Sequence, residues 1–306
     1  MATHFEKSKI INQYPWIQET GRKMVVGTDL DAMLSALLLS QYNNWDIIGF
    51  YDFTTIYYEK DQSIETLRQS VWVDLDVYRS EIASIGHHIL TLEPNQVLNG
   101  HVNSLNPNLI RNTSYRNFSK KYPLGTIHFL AWLLGIDLPD DSNGKYLFWL
   151  PDSSWINAQS HRFRENVSEW LTECIPLPML SRTFDEIDTK EYELGMKDFF
   201  QVLSENTGFQ SIRGQVKSRH LEMSGMQCIM TIVDNKNIQR FSALANFVNK
   251  LYGWRIPRIP NDLTRINGRR CSTDTDFVNI LNREDVFSYV FPYFKTINYT
   301  SFGGQI

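Results

Sequence analysis

Twice before residue 80 the chain runs an apolar, strand-like segment straight into paired carboxylates. The first is Met24-Val-Val-Gly-Thr-Asp29-Leu-Asp31 and the second is Val71-Trp-Val-Asp74-Leu-Asp76. Ligands of open parallel sheets bind beyond the carboxyl ends of the strands, so acids at those points mark the rim of a site. Residues two apart on an extended backbone point the same way, which lets each pair converge its oxygens. Converging hard oxygens suit a divalent cation. The other reading of Asp29 and Asp31 is a helix N-cap beside a solvated carboxylate.

The surrounding pattern predicts an α/β fold on a parallel sheet. Residues 24–28 read as a buried strand, Ala32 to Tyr42 as a helix rich in Leu and Ala, and Trp45 to Tyr51 as a second strand. Residues 70–77 read as a further strand, and Ser84-Ile-Gly-His87-His88-Ile-Leu90 as a short apolar run carrying adjacent imidazoles. A parallel crossover normally takes a dozen residues or more, so any helix between Asp74 and His87 is held to one or two turns. Asp76 is the substitute ligand if Asp74 is not the one used.

These motifs, in this order, resemble those of the DHH phosphoesterase superfamily. Val-Val-Gly-Thr-Asp29-Leu-Asp31-Ala-Met-Leu-Ser35 is similar to its first motif, Val71-Trp-Val-Asp74 to its second and Gly86-His87-His88 to its third. Asn106-Pro107 looks like the Asn-Pro that follows, Lys121 to Leu134 like the long helix beyond, and Tyr146-Leu-Phe-Trp-Leu-Pro-Asp152-Ser-Ser like the strand and Asp of the fourth motif. The resemblance implies one metal bound by Asp31, Asp74, His87 and Asp152. It implies a second, doubtful site using Asp29 and sharing Asp74, whose usual upstream ligand is missing because Val25 and Gly27 stand there. Mn²⁺ suits three oxygens and an imidazole, with Mg²⁺ or Fe²⁺ as alternatives. His88 and Asp74 become the catalytic residues, His88 as the contact to the scissile phosphate. Gly86 stands where the family has Asp, which removes an acceptor that would orient the histidines.

The second half is less directive. Ile175-Pro-Leu-Pro178 places a connector at 176–205, between a DHH-like catalytic domain at 1–175 and a smaller α+β substrate-binding domain at 206–306. Along this second half, Glu191 to Leu203 and Ile238 to Leu251 carry amphipathic helix patterns, Cys228 to Val233 reads as a strand, and the alternation through 287–293 as a strand burying one face. Arg255, Arg258, Arg265, Arg269 and Arg270 offer planar forks for phosphate, or else solvate a sheet edge. Gly303 and Gly304 allow backbone to approach a ligand, with Gln305 where the family's terminal motif has His. The aromatics of residues 50–53 and 287–294 suit base stacking or, better, core packing.

Bulk properties narrow the partners. A formal net charge of −4 does not suit coating of long nucleic acid by charge alone, so any polyanion must be short or locally held. Three dispersed cysteines and no CxxC pair fit a reducing cytoplasm. The first residues lack a signal-peptide pattern, and the apolar stretch near Ile127 to Ile136 is too short to span a bilayer. The expectation is a metal-dependent phosphodiesterase acting on short oligonucleotides or single-stranded ends, as a homo-oligomer or complex subunit. The competing expectation is a catalytically silent nucleotide-binding or scaffolding protein of the same fold, with pyrophosphate hydrolysis third.

Overall fold

The computed structural model describes residues 5–186, 189–209, 235–274, 277–293 and 296–306. It is an α/β protein with a seven-stranded, mostly parallel sheet and a three-stranded antiparallel one. The strands are β1 Lys23–Val26, β2 Asp46–Tyr51, β3 Thr55–Glu59, β4 Val71–Val73, β5 Ser84–Ile85, β6 Ser104–Leu105, β7 Leu263–Asn267, β8 Arg269–Thr273, β9 Val286–Tyr293 and β10 Thr296–Ser301. The large sheet runs β6-β5-β4-β1-β2-β3-β7, and β8-β10-β9 form the small one. Strands β6, β5, β4, β1 and β2 are mutually parallel, whereas β3 and β7 run antiparallel to their neighbours.

The chain separates into two compact units. One comprises Met1–Lys7, Asp29–Leu38 and Tyr122–Ile256; the other comprises Ser8–Thr28, Leu39–Lys121 and Pro257–Ile306. The second contains both sheets. Its parallel strands read as continuous apolar runs because both of their faces are covered: Met24, Val25 and Val26, like Val71, Trp72 and Val73, are fully buried. One core of this unit joins Val25, Tyr51 and Trp72 to Phe287, Phe302 and Ile306. Another gathers Ile89 and Leu90 with Tyr289, Phe291 and Ile297. Residues 257–306 therefore cluster with 39–121, whereas the sequence reading set 206–306 apart as a domain. Five register pairs between β3 and β7 tie the late segment to the early one.

The described regular structure of the first unit is helical. Its longer helices are Thr126–Leu134, Pro178–Glu186, Thr189–Thr207 and Asn235–Tyr252. The described residues of 176–205, expected as connector, are mostly helix, and Met196, Phe199 and Leu203 are buried. Pro178 does not interrupt structure because it opens its helix, where its missing N–H is not needed. Phe5, Tyr122, Phe129, Trp132 and Trp170 form a connected aromatic cluster.

Three local expectations change. The apolar run from Tyr146 is not a strand: the helix Ser142–Leu147 occupies its start, capped by Asp141, whose side chain accepts from Gly144 N at 2.7 Å. Leu147, Phe148, Trp149 and Leu150 are all fully buried, and such a run has no periodicity to tell helix from strand. Strand β4 stops at Val73 instead of reaching Val77, because Asp74 takes φ of 56°, a left-handed conformation that breaks a ladder. The link to β5 contains no helix. Val77 instead bridges Ser288, Tyr78 N–H donates to Phe287 O at 2.6 Å, and the Arg79 guanidinium donates to Val286 O, so β9 supplies the cover that a crossover helix would. The strand expected at Cys228 to Val233 lies outside the described residues.

Candidate metal centre

Three neighbouring parallel strands deliver polar residues from their carboxyl ends in the sheet-bearing unit: β4 gives Asp74, β5 gives His87 and His88 after Gly86, and β6 gives Asn106. The ladder persists just beyond the strands, with Leu75 N–H donating to Ile85 O at 2.9 Å and Gly86 N–H to Leu105 O at 3.3 Å. Pairing therefore fixes the relative heights of the acid and the imidazoles. His87 Nδ1 lies 3.5 Å and His88 Nε2 3.9 Å from the same oxygen, Asp74 Oδ1. The two rings have centroids 3.9 Å apart and planes inclined at 40°. Asp74, His87 and His88 each offer a ligand atom, all within 4.8 Å of one another. One hard carboxylate and two imidazoles form a donor set that fits a first-row divalent cation.

Burial grades this group. The side chains of Asp74 and His87 are 2% and 3% exposed, while that of His88 is 21% exposed. Behind them stands Asp76, also buried, whose Oδ2 accepts from His88 N–H at 2.9 Å and whose Oδ1 accepts from Asn106 Nδ2 at 2.8 Å. Burial pushes the Asp76 carboxyl above the usual carboxylate range, opposed by these two hydrogen bonds and by His87 and Lys121. Asn106 Oδ1 accepts from Asn108 N–H, and Asn108 Nδ2 donates to His87 O at 2.7 Å. The Asn-Pro of the sequence thus caps a short helix, Pro107–Ile110, and braces the histidine backbone.

The other expected ligands belong to the helical unit. Asp29 Oδ1 accepts from Ala32 N–H at 2.9 Å, the N-cap geometry weighed for it above. Asp31 is buried and receives Thr126 N–H at 2.6 Å and Ile127 N–H at 3.0 Å, so it caps the helix Thr126–Leu134. Gly125 permits that approach, since a Cβ there would lie 2.7 Å from both Asp31 carboxylate oxygens. Asp152 and Ser153 both take positive φ, 50° and 56°, and the Asp152 and Asp31 carboxylates come within 4.8 Å of each other. Replacing Asp31 by Ala should lower stability by about 1–2 kcal/mol through loss of the cap, read from chemical denaturation in metal-free buffer.

The expected substrate residues sit on the small sheet. Arg269 and Arg270, both exposed, pair in register with Ser301 and Thr300, and Gly303 and Gly304 follow with φ of 58° and 79°. The Arg270 guanidinium lies 5.9 Å from the Phe53 ring centroid. Arg258 is otherwise engaged, in a two-pronged pair with Glu59 at 2.8 and 2.5 Å that ties residue 258 to β3. Phe50, Tyr51, Phe287, Tyr289 and Phe291 are buried, so their aromatic faces serve the core.

Sequence reasoning missed the bracing role of Asn108 and treated Asp76 only as a reserve ligand. The repeat of acid two residues after Asp74 was the available signal, but the expectation of an extended backbone at 74–76 hid it. The positive φ at Asp74 redirects Asp76 away from the position that alternation assigns it. No family model, curated protein or solved structure matches the chain. Among the described residues, no helix is long and apolar enough to cross a membrane.

Proposed function

We propose that the chain is a metal-dependent phosphodiesterase acting on short oligonucleotides or the ends of single-stranded nucleic acid. The observation that carries this reading is the convergence of Asp74, His87 and His88 within 4.8 Å at the ends of adjacent parallel strands. A divalent cation held there, Mn²⁺ ahead of Mg²⁺, supplies a Lewis acid for a phosphoryl oxygen and eases deprotonation of water. Asp74 and His87, the buried members, hold the ion. His88, the more exposed imidazole, would complete the donor set from the solvent side, where the scissile phosphate would also bind. Arg269 and Arg270 hold a remote phosphate, with Gly303 and Gly304 leaving room for it.

The sequence resemblance to DHH phosphoesterases supports the same reading, including its finer fold description of a DHH-like catalytic domain with a C-terminal substrate-gripping part. Asp31 and Asp152 belong to the helical unit, so the proposal rests on Asp74, His87 and His88 alone.

Titration of metal-free protein with Mn²⁺, beside cleavage of a short labelled oligonucleotide, tests it. The informative variant is Asp74→Asn rather than Ala, because Asn tolerates the left-handed backbone at this position. Loss of this ligand should weaken Mn²⁺ binding by about 100-fold or more, beyond the roughly 10–100-fold typical of an outer partner, and abolish cleavage. Equal Mn²⁺ binding by wild type and Asp74→Asn would remove the site assignment. Binding without turnover of oligonucleotides, cyclic dinucleotides or pyrophosphate would identify a silent nucleotide-binding module instead.

A further inference from the structure

Gly86 precedes the two histidines, and its missing side chain has a definite neighbour. A Cβ built there would stand 2.6 Å from Asp76 Cγ, 2.6 Å from Oδ2 and 2.8 Å from Oδ1. The space that a side chain at 86 would fill is therefore already taken by a carboxylate arriving from the β4 loop. That carboxylate accepts the His88 N–H, and through Asn106 and Asn108 it is linked to the His87 carbonyl. The single peptide group that joins the two histidines is thus held at its N–H and at its carbonyl by one buried network centred on Asp76 and Asn106.

We propose that Asp76 is a positioning residue for the metal centre, taking over from a neighbouring strand the acceptor that Gly86 cannot supply. This rests on the metal reading of Asp74, His87 and His88. The two acids of the Asp74-Leu-Asp76 device divide the work: Asp74 offers its oxygen to the site, and Asp76 turns back beneath the histidines to set their orientation. Gly86 is the complement of Asp76, since any larger residue displaces the carboxylate from His88 N–H.

The full-length protein with Mn²⁺ as the probe provides the test, with binding followed by the electron paramagnetic resonance signal of the free ion and folding by circular dichroism. Asp76→Asn presents an amide in place of the second acceptor oxygen, and Mn²⁺ affinity should fall about 10–100-fold with the fold intact. Gly86→Ala, which leaves every ligand in place, should weaken binding in the same direction. The decisive comparison sets Asp76→Gly against the double variant Asp76→Gly with Gly86→Asp, which moves the carboxylate to the histidine strand. The double variant should regain most of the affinity lost by the single one, an outcome that a purely structural role for Asp76 does not produce. Wild-type binding with unchanged affinity in Asp76→Asn, or a folded double variant no better than Asp76→Gly, overturns the positioning role while leaving the metal site standing. Absence of Mn²⁺ binding by wild type overturns both.

Discussion

Between pH 6.5 and about 3 the protein should lose stability through one buried imidazole, His101. The side chain is 3% exposed, and burial holds its pKa down at about 3, against a weaker opposing hydrogen bond with the Val77 backbone. Nδ1 meets Ser104 Oγ at 2.8 Å, while Nε2 has no hydrogen-bond partner among the described residues. The ring lies against Tyr78 and Tyr289, with centroids 4.9 and 5.3 Å away. Below pH 6.5 the unfolded chain takes up a proton here that the folded chain refuses. Stability from this group is complete above the unfolded value and drains as pH falls towards the folded one. Each pH unit in that window costs roughly 1.4 kcal/mol, so the full loss is on the order of 5 kcal/mol. Urea unfolding of wild type and His101→Phe at several pH values checks it. The difference between the two should change with pH in this window and stay flat above pH 7, and parallel curves throughout would refute the assignment.

Trp72→Ala should be the most damaging single core change, at about 3–5 kcal/mol. The indole is completely buried on β4, the strand that presents Asp74. It packs edge-on to Tyr51 and Phe287, with centroids at 5.8 and 5.1 Å, and its Nε1 donates to Leu67 O at 3.0 Å. Truncation removes the largest side chain from a core that also contains Phe302 and Ile306, and close-packed neighbours collapse only partly into such a void. Trp72→Phe, which keeps most of the volume, should recover most of the loss in the urea midpoint. Equal midpoints for wild type and Trp72→Ala would show that this core does not govern unfolding.

The parts of the fold that were legible in the sequence are those whose burial leaves a mark on residue order. Residues 23–51 were readable as strand, helix, strand because β1 and β2 are continuous apolar runs and Leu30–Asn43 is built from good helix formers behind an Asp cap. The alternation of β9 gave Phe287, Tyr289 and Phe291, all buried, but Val286 and Ser288 are buried as well, so the start of this strand is covered on both faces rather than one. Where burial is complete on every side the mark vanishes, which is why Tyr146 to Leu150 read as a strand. The pairing of β7 with β3, and of Val77 with Ser288, joins residues about two hundred apart and leaves no local trace.

For the candidate site, residue types and the order of strands were enough to single out Asp74, His87 and His88 as a cluster, because each follows the end of a neighbouring parallel strand. The bracing was hidden for a geometric reason. A single left-handed residue at Asp74 changes the direction of everything after it, and Gly86 carries meaning only once its neighbour is known. Asp31 illustrates a different difficulty, since its carboxylate caps a helix that begins 95 residues later in the chain.

The absence of a crossover helix between β4 and β5 also has a bearing on how the chain matures during synthesis. Loop 74–83 is covered by β9, and the contact from Arg79 to Val286 closes a separation of 207 residues. Domains generally fold from the N-terminus as they emerge, but this loop has no lid until β9, 207 residues beyond Arg79, has left the ribosome. Asp74, Asp76 and the histidines are translated well before β9, so the loop joining their strands gains its cover long after it is made. The nascent chain therefore passes through a long interval in which the loop between the strands of Asp74 and His87 is made but not yet covered.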